Sequence, residues 1–366
     1  MTLIFTSYAS APEYNQPGEW LKRIEGYTGI LESLSHNHKV IGIERINYEG
    51  EYTKEGVQYY FIRQKNKVVH FPWRMHRMIK NLKPDAVFIN GFIFPAQVFQ
   101  LRLQLGSAVK IIIIHRSEKP FEGLKKYVQN MAYRCANAYL FTSSEFGKQW
   151  IENGNVSNQK KVYEVFHGSS VFKCEDKVSA KSAVGVTGSP LFLWVGRLDN
   201  NKDPLTVLKG FAAFLNFQPL AKLYMIYHTE ELLQDVNNFI QQDKKTMQAV
   251  SLIGKIAHEQ LQHWYNSADF IISGSHYEGG GIAVVEALSC GCIPVITDIK
   301  SFRKITGPGK CGLLYKPGDH KDLLMALMKT TAMDIDKERA KVLQQFNEEF
   351  SFEAIANKMN TIIAAL

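Results

Sequence analysis

Short apolar runs alternate with longer stretches of helical patterning, and this alternation leaves few architectures open to the chain. Residues 3–7, 39–43, 86–90, 110–114 and 138–142 read as strands covered on both faces. Between the first two, Trp20, Ile24, Tyr27, Leu31 and Leu34 recur at helical spacing. Such βαβ units predict a parallel sheet flanked by helices. After Phe172 a polar stretch runs to Pro190, and then the alternation begins again. Residues 191–195, 223–227, 270–273 and 294–297 are further strands, and Leu205, Leu208, Phe211, Ala212 and Leu215 mark a helix. The restart predicts two doubly wound α/β domains, residues 1–172 and 173–350, with a linker near 168–176. Residues 351–366 form an amphipathic helix.

A chain of 366 residues exceeds what one hydrophobic core usually serves, which agrees with two domains. No apolar run reaches the length of a membrane-spanning helix. Residues 1–7 lack the basic start of a signal peptide and read as a buried strand. Five scattered cysteines predict a reduced, cytoplasmic setting, and Cys290-Gly291-Cys292 has the wrong spacing for a zinc pair. The net charge of +8 is uneven. Residues 1–172 carry 22 Lys and Arg against 14 Asp and Glu, whereas the remainder has 21 of each. Any long-range pull on an anionic partner therefore originates in the first half.

Two strand-to-helix turns in the second half carry the chemistry. In the first, Gly196, Arg197, Leu198 and Lys202 lead into Asp203-Pro204, a helix start. A helix N-terminus favours anions, Arg197 offers a planar fork for phosphate oxygens, and Lys202 adds a point charge. In the second, Gly279, Gly280 and Gly281 let backbone N–H groups approach a ligand ahead of a helix opening at Ile282. Glu286, in that helix, is placed to accept ribose hydroxyls. Glu278 stands on the other side of the glycines, near where a sugar would lie. His115 follows a strand end, where open α/β sheets bind ligands.

These strings resemble the retaining GT-B glycosyltransferases of the group 1, or family 4, type. Glu278 and Glu286 meet that family's E-x7-E pattern, and Gly196-Arg197-Leu198 with Lys202 its G-R-L-x3-K signature. Gly254-Lys255-Ile256 resembles its base-binding turn, while Thr142-Ser143-Ser144-Glu145 and Val165-Phe166-His167-Gly168-Ser169 resemble the strand ends before its linker. The resemblance implies two Rossmann-like domains facing each other across a cleft, with the last helix packing back on the first domain. It also implies that Arg197 and Lys202 hold a diphosphate, Glu286 the ribose, and Glu278 with the glycine backbone the transferred sugar. His115 is placed like the family's active-site histidine. The family's Gly-Gly entry to the first helix is here the single Gly18, and Gly280 replaces its usual Phe or Tyr. The expected function is metal-independent, cofactor-free, retaining transfer from a nucleotide-sugar, UDP favoured, to a saccharide or lipid-linked acceptor in polysaccharide or glycan synthesis.

An epimerase or hydrolase of the same fold, or a silent nucleotide-binding scaffold, are the alternatives. Asp334-Ile335-Asp336 lies outside a strand end and reads as a solvated loop. His258 and His263, five apart, point in different directions on a helix. No P-loop follows a strand, and no aromatic-basic module indicates a nucleic-acid partner. A helix opening at Pro72 places Met75, Met78, Ile79 and Leu82 on one face and Arg74, Arg77 and Lys80 elsewhere, after Arg63, Lys65 and Lys67. It suits either core packing or peripheral contact with an anionic membrane.

Overall fold

Branched apolar runs become the interior of two parallel sheets in the computed structural model, which describes residues 1–63 and 71–366. Lys65 and Lys67 lie outside the described residues. The chain divides into one unit of Met1–Ser169 with Ser351–Leu366, and a second of Ser170–Phe350.

The first unit holds β1 (Thr2–Ser7), α1 (Pro17–Arg23), α2 (Glu25–Ser35), β2 (Lys39–Glu44), β3 (Gly50–Lys54), β4 (Val57–Phe61), α3 (Trp73–Asn81), β5 (Ala86–Asn90), α4 (Pro95–Leu105), β6 (Lys110–Ile114), α5 (Gly123–Tyr133), β7 (Ala138–Phe141), α6 (Ser144–Glu152) and β8 (Val162–Glu164). Its sheet runs β3-β4-β2-β1-β5-β6-β7-β8. Every pairing is parallel except the β3–β4 hairpin. The hairpin escaped the sequence reading because β3 is mostly exposed and has no apolar alternation. The four isoleucines of β6 are buried, as a strand covered by helices on both faces requires.

The second unit holds α7 (Lys177–Val184), β9 (Leu191–Gly196), α8 (Pro204–Phe214), β10 (Lys222–Tyr227), α9 (Leu233–Gln241), α10 (Lys244–Ala249), β11 (Val250–Gly254), α11 (Leu261–Ser267), β12 (Phe270–Ser273), α12 (Ile282–Ser289), β13 (Ile293–Thr297), α13 (Lys300–Thr306), β14 (Leu313–Tyr315), α14 (His320–Thr330) and α15 (Ile335–Glu349). Its order is β11-β10-β9-β12-β13-β14, all parallel. This is the doubly wound order whose direction of winding reverses between its first and fourth strands, here β9 and β12. Ligands bind outside the carboxyl ends of such strands, at that reversal.

The last helix, α16 (Phe352–Ala365), returns to the first unit. Ser351 caps it by accepting from Ala354 N, and Phe352 packs over Gly29 of α2 so closely that a Cβ there would lie 2.6 Å from the ring. His38 Nε2 meets Asn360 Oδ1 at 2.9 Å.

A candidate anion and sugar site at the β9–β12 crossover

Both turns singled out in the sequence leave the sheet at this reversal. After β9, Asp199 organises the loop. Its carboxylate takes Arg197 Nε at 3.2 Å through one oxygen and the backbone N–H of Lys202 at 2.9 Å through the other. Asp203 then caps α8 from a left-handed conformation, with φ of 42°, and accepts from Thr206 N at 3.1 Å. Aspartate tolerates that region better than most residues. Its second oxygen meets His276 Nε2 at 3.0 Å.

The two loops are laced together. Asn201 donates from Nδ2 to Tyr277 O at 3.0 Å and accepts from Tyr277 N at 3.1 Å, while its own carbonyl accepts from His276 N at 2.8 Å. Gly274 makes the approach possible, because a Cβ there would stand 2.8 Å from Asp203 O and 3.0 Å from Lys202 O. From the other side Tyr315 donates to Ser273 O at 2.9 Å and Thr297 to Ser275 O at 2.6 Å. The sequence reading missed Asp199, Asn201 and Gly274 as positioning residues, although each lies in or beside a motif it had singled out.

Lys202 and Glu278 form an ion pair across the two loops, and Ser275 donates to the same Glu278 oxygen at 2.7 Å. Both side chains are mostly buried, whereas that of Arg197 is half exposed. Val195, Gly196, Arg197, Lys202, Lys255, Ile256 and Ala283 line a cavity of about 390 Å³, together with Ile226, Tyr227, His228 and Leu261. That volume lies in the range of small-molecule sites. An adjoining hollow of about 80 Å³ is lined by Lys202, Glu278, Gly281 and Ile282, and shares Val195, Lys202 and Ala283 with the first. The cations and Gly281 therefore open onto one region. Gly281 caps α12 at φ of 58°, where a Cβ would press on Phe302, so both conformation and space call for glycine. Gly279 and Gly280 form the bend between Glu278 and α12 without lining either hollow. Gly254 ends β11 at φ of 79°, a turn that delivers Lys255 and Ile256 to the cavity wall.

Glu286 lies in α12 and is nearly buried. His258 Nε2 meets its Oε1 at 2.8 Å, and the Tyr265 hydroxyl donates to its Oε2 at 3.2 Å. Burial, then the neighbouring Glu286 charge, holds the Tyr265 pKa well above the usual phenol range, so that hydroxyl stays a donor. Glu286 lines neither hollow, and His258 and Tyr265 occupy two of the roughly four acceptor positions of its carboxylate. His258, set aside in the sequence reading for its spacing from His263, is the partner of Glu286.

Two predicted residues lie apart from this region. Gly18 is in the first turn of α1, in the first unit, and lines neither hollow. His115 follows β6 as expected, but its ring is only 1% exposed and lies among Phe92, Phe141, Phe146 and Trp150. Its Nε2 pairs with Glu118 O at 3.0 Å, and burial lowers its pKa, so the ring is neutral at pH 7. A larger hollow, of about 550 Å³, lies beside α3 and is lined by Tyr60, Trp73, Arg74 and Arg77 among others. It contains neither a glycine turn nor a carboxylate, and its chemistry does not match the motifs.

Residues 177–347 match the family of glycosyl transferases group 1. Mannosylfructose-phosphate synthase of Agrobacterium fabrum is 27% identical over 143 residues, covering 37% of this chain and 32% of that one. A D-inositol 3-phosphate glycosyltransferase of an Arthrobacter species is 26% identical over 185 residues, 48% of this chain and 43% of that one. The chain thus spans from about a third to two fifths of the length of the curated relatives it matches. Among solved structures, a glycosyltransferase from Rickettsia africae superposes with a TM-score of 0.75 at 16% identity, covering 100% of this chain and 98% of the other. Anabaena HepE in complex with UDP-glucose gives 0.70 at 12% identity over 100% of both chains. At these identities the likeness establishes the fold, which is the GT-B class of two Rossmann-like domains.

Proposed function

Residues 177–347 match the group 1 glycosyl transferases, and from that match we propose that the chain moves a sugar from a nucleotide-sugar to a hydroxyl acceptor with retention of configuration. The observation that carries the reading is the convergence of Arg197, Lys202, Glu278 and the start of α12 on one region at the β9–β12 reversal. A diphosphate seated there meets two cations and the N-terminus of α12. As the bond from sugar to phosphate breaks, negative charge grows on the departing diphosphate. Arg197 and Lys202 stabilise that charge more than they stabilise the intact donor, an effect commonly worth about 3 kcal/mol for one well-placed group. These groups take the part that a metal plays elsewhere, so chelation leaves turnover unchanged under this reading.

Glu286, held by His258 and Tyr265, offers its remaining acceptor positions to the ribose hydroxyls. Lys255 and Ile256 border the base, and Glu278 faces the transferred sugar. His115 is assigned to the acceptor side, where a rotation of its ring away from Phe141 and Trp150 would expose it. A uridine carrier is favoured by structural neighbours solved with UDP and UDP-glucose. Relatives named for GDP-mannose make guanosine the competing carrier. The acceptor is a saccharide or a lipid-linked saccharide. The basic excess of residues 1–172 supports peripheral contact with an anionic membrane, where a lipid-linked acceptor would be met.

A thermal-shift panel of UDP, GDP and their sugar conjugates tests the donor. A ligand at about one hundred times its dissociation constant adds roughly 2.7 kcal/mol. The account expects a shift with diphosphates and their sugars and none with free nucleosides. No shift with any nucleoside diphosphate would remove the proposal, and sugar release without an acceptor would point to a hydrolase.

A further inference from the structure

The helix α5 leaves most of its large apolar side chains in solvent. Gln129 and Tyr133 are its fully buried residues, and Gln129 donates from Nε2 to Phe92 O at 2.6 Å and accepts from Asn155 Nδ2 at 2.6 Å. Its four other large apolar side chains point the other way. Leu124, Tyr127, Val128 and Met131, spaced as one helical face, are 84%, 66%, 52% and 67% exposed. The neighbouring α4, packed against α5, also buries a glutamine, Gln100, while exposing Phe99 and Leu103 one turn apart. Single exposed leucines are ordinary, but six large exposed apolar side chains on two adjoining helices mark an interaction surface.

The surrounding charge says what covers it. Residues 119–134 carry Lys119, Lys125, Lys126 and Arg134 against the single acid Glu122, and α4 has Arg102 with no acid. Lys126 lies 5.3 Å from the centre of the Tyr127 ring, holding a cation at the edge of the apolar face. Apolar side chains bordered by cations on an amphipathic helix match the boundary between acyl chains and anionic headgroups. The contact is peripheral, since no helix among the described residues is long and apolar enough to cross a membrane. The α3 segment suits this less well, because Met75 and Ile79 lie in the core with Met78 and Leu82 packed against it, leaving Trp73 as its large exposed residue.

We propose that the exposed face of α5, with the adjoining face of α4, docks on the surface of an anionic lipid bilayer. The proposal rests on the glycosyl-transfer reading only for its purpose, since a transferase facing a lipid-linked acceptor gains from being held at that surface. Its test is independent of turnover. The full chain is sedimented with vesicles of equal parts phosphatidylcholine and phosphatidylglycerol, and with vesicles of phosphatidylcholine alone. The wild type should sediment with the first and far less with the second. The double variant L124S/M131S should lose about tenfold or more in vesicle affinity, as expected for withdrawing two buried apolar side chains. K125E/K126E should lose a comparable amount, and raised salt should weaken binding. Both variants change exposed or half-exposed surface and should keep the nucleotide-induced thermal shift of the wild type, which separates this proposal from the donor site. Equal binding to both vesicle types, undiminished binding by L124S/M131S, or no sedimentation would overturn it. So would a dimer seen by light scattering that the same variant dissolves while vesicles go unbound, which would make the face an interface between copies.

Discussion

Glu278 has two tasks that substitution can separate. It neutralises Lys202 when the site is empty, and under the proposed reading it faces the transferred sugar once the diphosphate takes Lys202 over. Removing its charge takes a repelling carboxylate away from an anion site, and at close range in a partly buried setting such a term is on the order of 1 kcal/mol or more. Glu278→Gln should therefore bind a nucleoside diphosphate as tightly as the wild type or up to about tenfold more tightly, while transfer falls at least about a hundredfold. Titration calorimetry beside initial rates checks both, and a parallel loss of affinity would argue that Glu278 merely shapes the loop. In the other unit Glu44 is nearly buried at the end of β2, accepts from Trp20 Nε1 at 3.0 Å, and has its pKa pushed up to about 7, chiefly by burial. A carboxyl raised in the folded state contributes stability that is complete below its unfolded value and is lost as pH rises through the folded one. Between about pH 4.5 and 7 this site should cost the native state up to about 3 kcal/mol, and Glu44→Gln should flatten that part of the stability curve. Urea melts of both proteins across that range check it.

At the scale of elements, the strands and the start of α8 were legible because their signals are local. Branched apolar runs become covered strands, and Asp203-Pro204 becomes a helix start. What was not legible depends on side chains meeting across long sequence separations. Asn201 and Tyr277, 76 positions apart, lace the two site loops, and His258 reaches Glu286 across 28. The ring of His115 turns into an aromatic cluster drawn from β7, α6 and the loop after β5, which no single segment announces. In α5 the periodicity is plain, but helical spacing alone would have turned Leu124, Tyr127 and Met131 inward. The amide network around Gln129 decides otherwise. The lacing makes Gly274 a sharp test of how elements hold the site. Gly274→Ala forces a Cβ against the carbonyls of Lys202 and Asp203, which are backbone and cannot swing aside. It should cost about 2–3 kcal/mol of stability, and nucleotide affinity should fall with it. An alanine variant of unchanged melting temperature and affinity would mean that the two loops are positioned independently.

For the whole molecule, charge and chemistry are divided between the two units. The basic excess lies within residues 1–172, whereas the candidate diphosphate site lies in Ser170–Phe350, whose sheet reverses its winding where the two motifs leave it. Under the proposed reading, anion recognition in the second unit is local, resting on Arg197, Lys202 and the start of α12 rather than on a broad positive field. Salt should accordingly weaken vesicle binding by α5 more than nucleotide binding at the β9–β12 crossover, because partly buried pairs are screened less than exposed ones. The most direct test of the central claim is a calorimetric comparison of UDP with uridine on the wild type, Arg197→Ala and Lys202→Ala. If both cations grip one diphosphate, UDP should bind the wild type at least about a hundredfold more tightly than uridine, and each substitution should remove about tenfold or more of that preference while leaving uridine unaffected. A preference for UDP that survives in both variants would contradict the account.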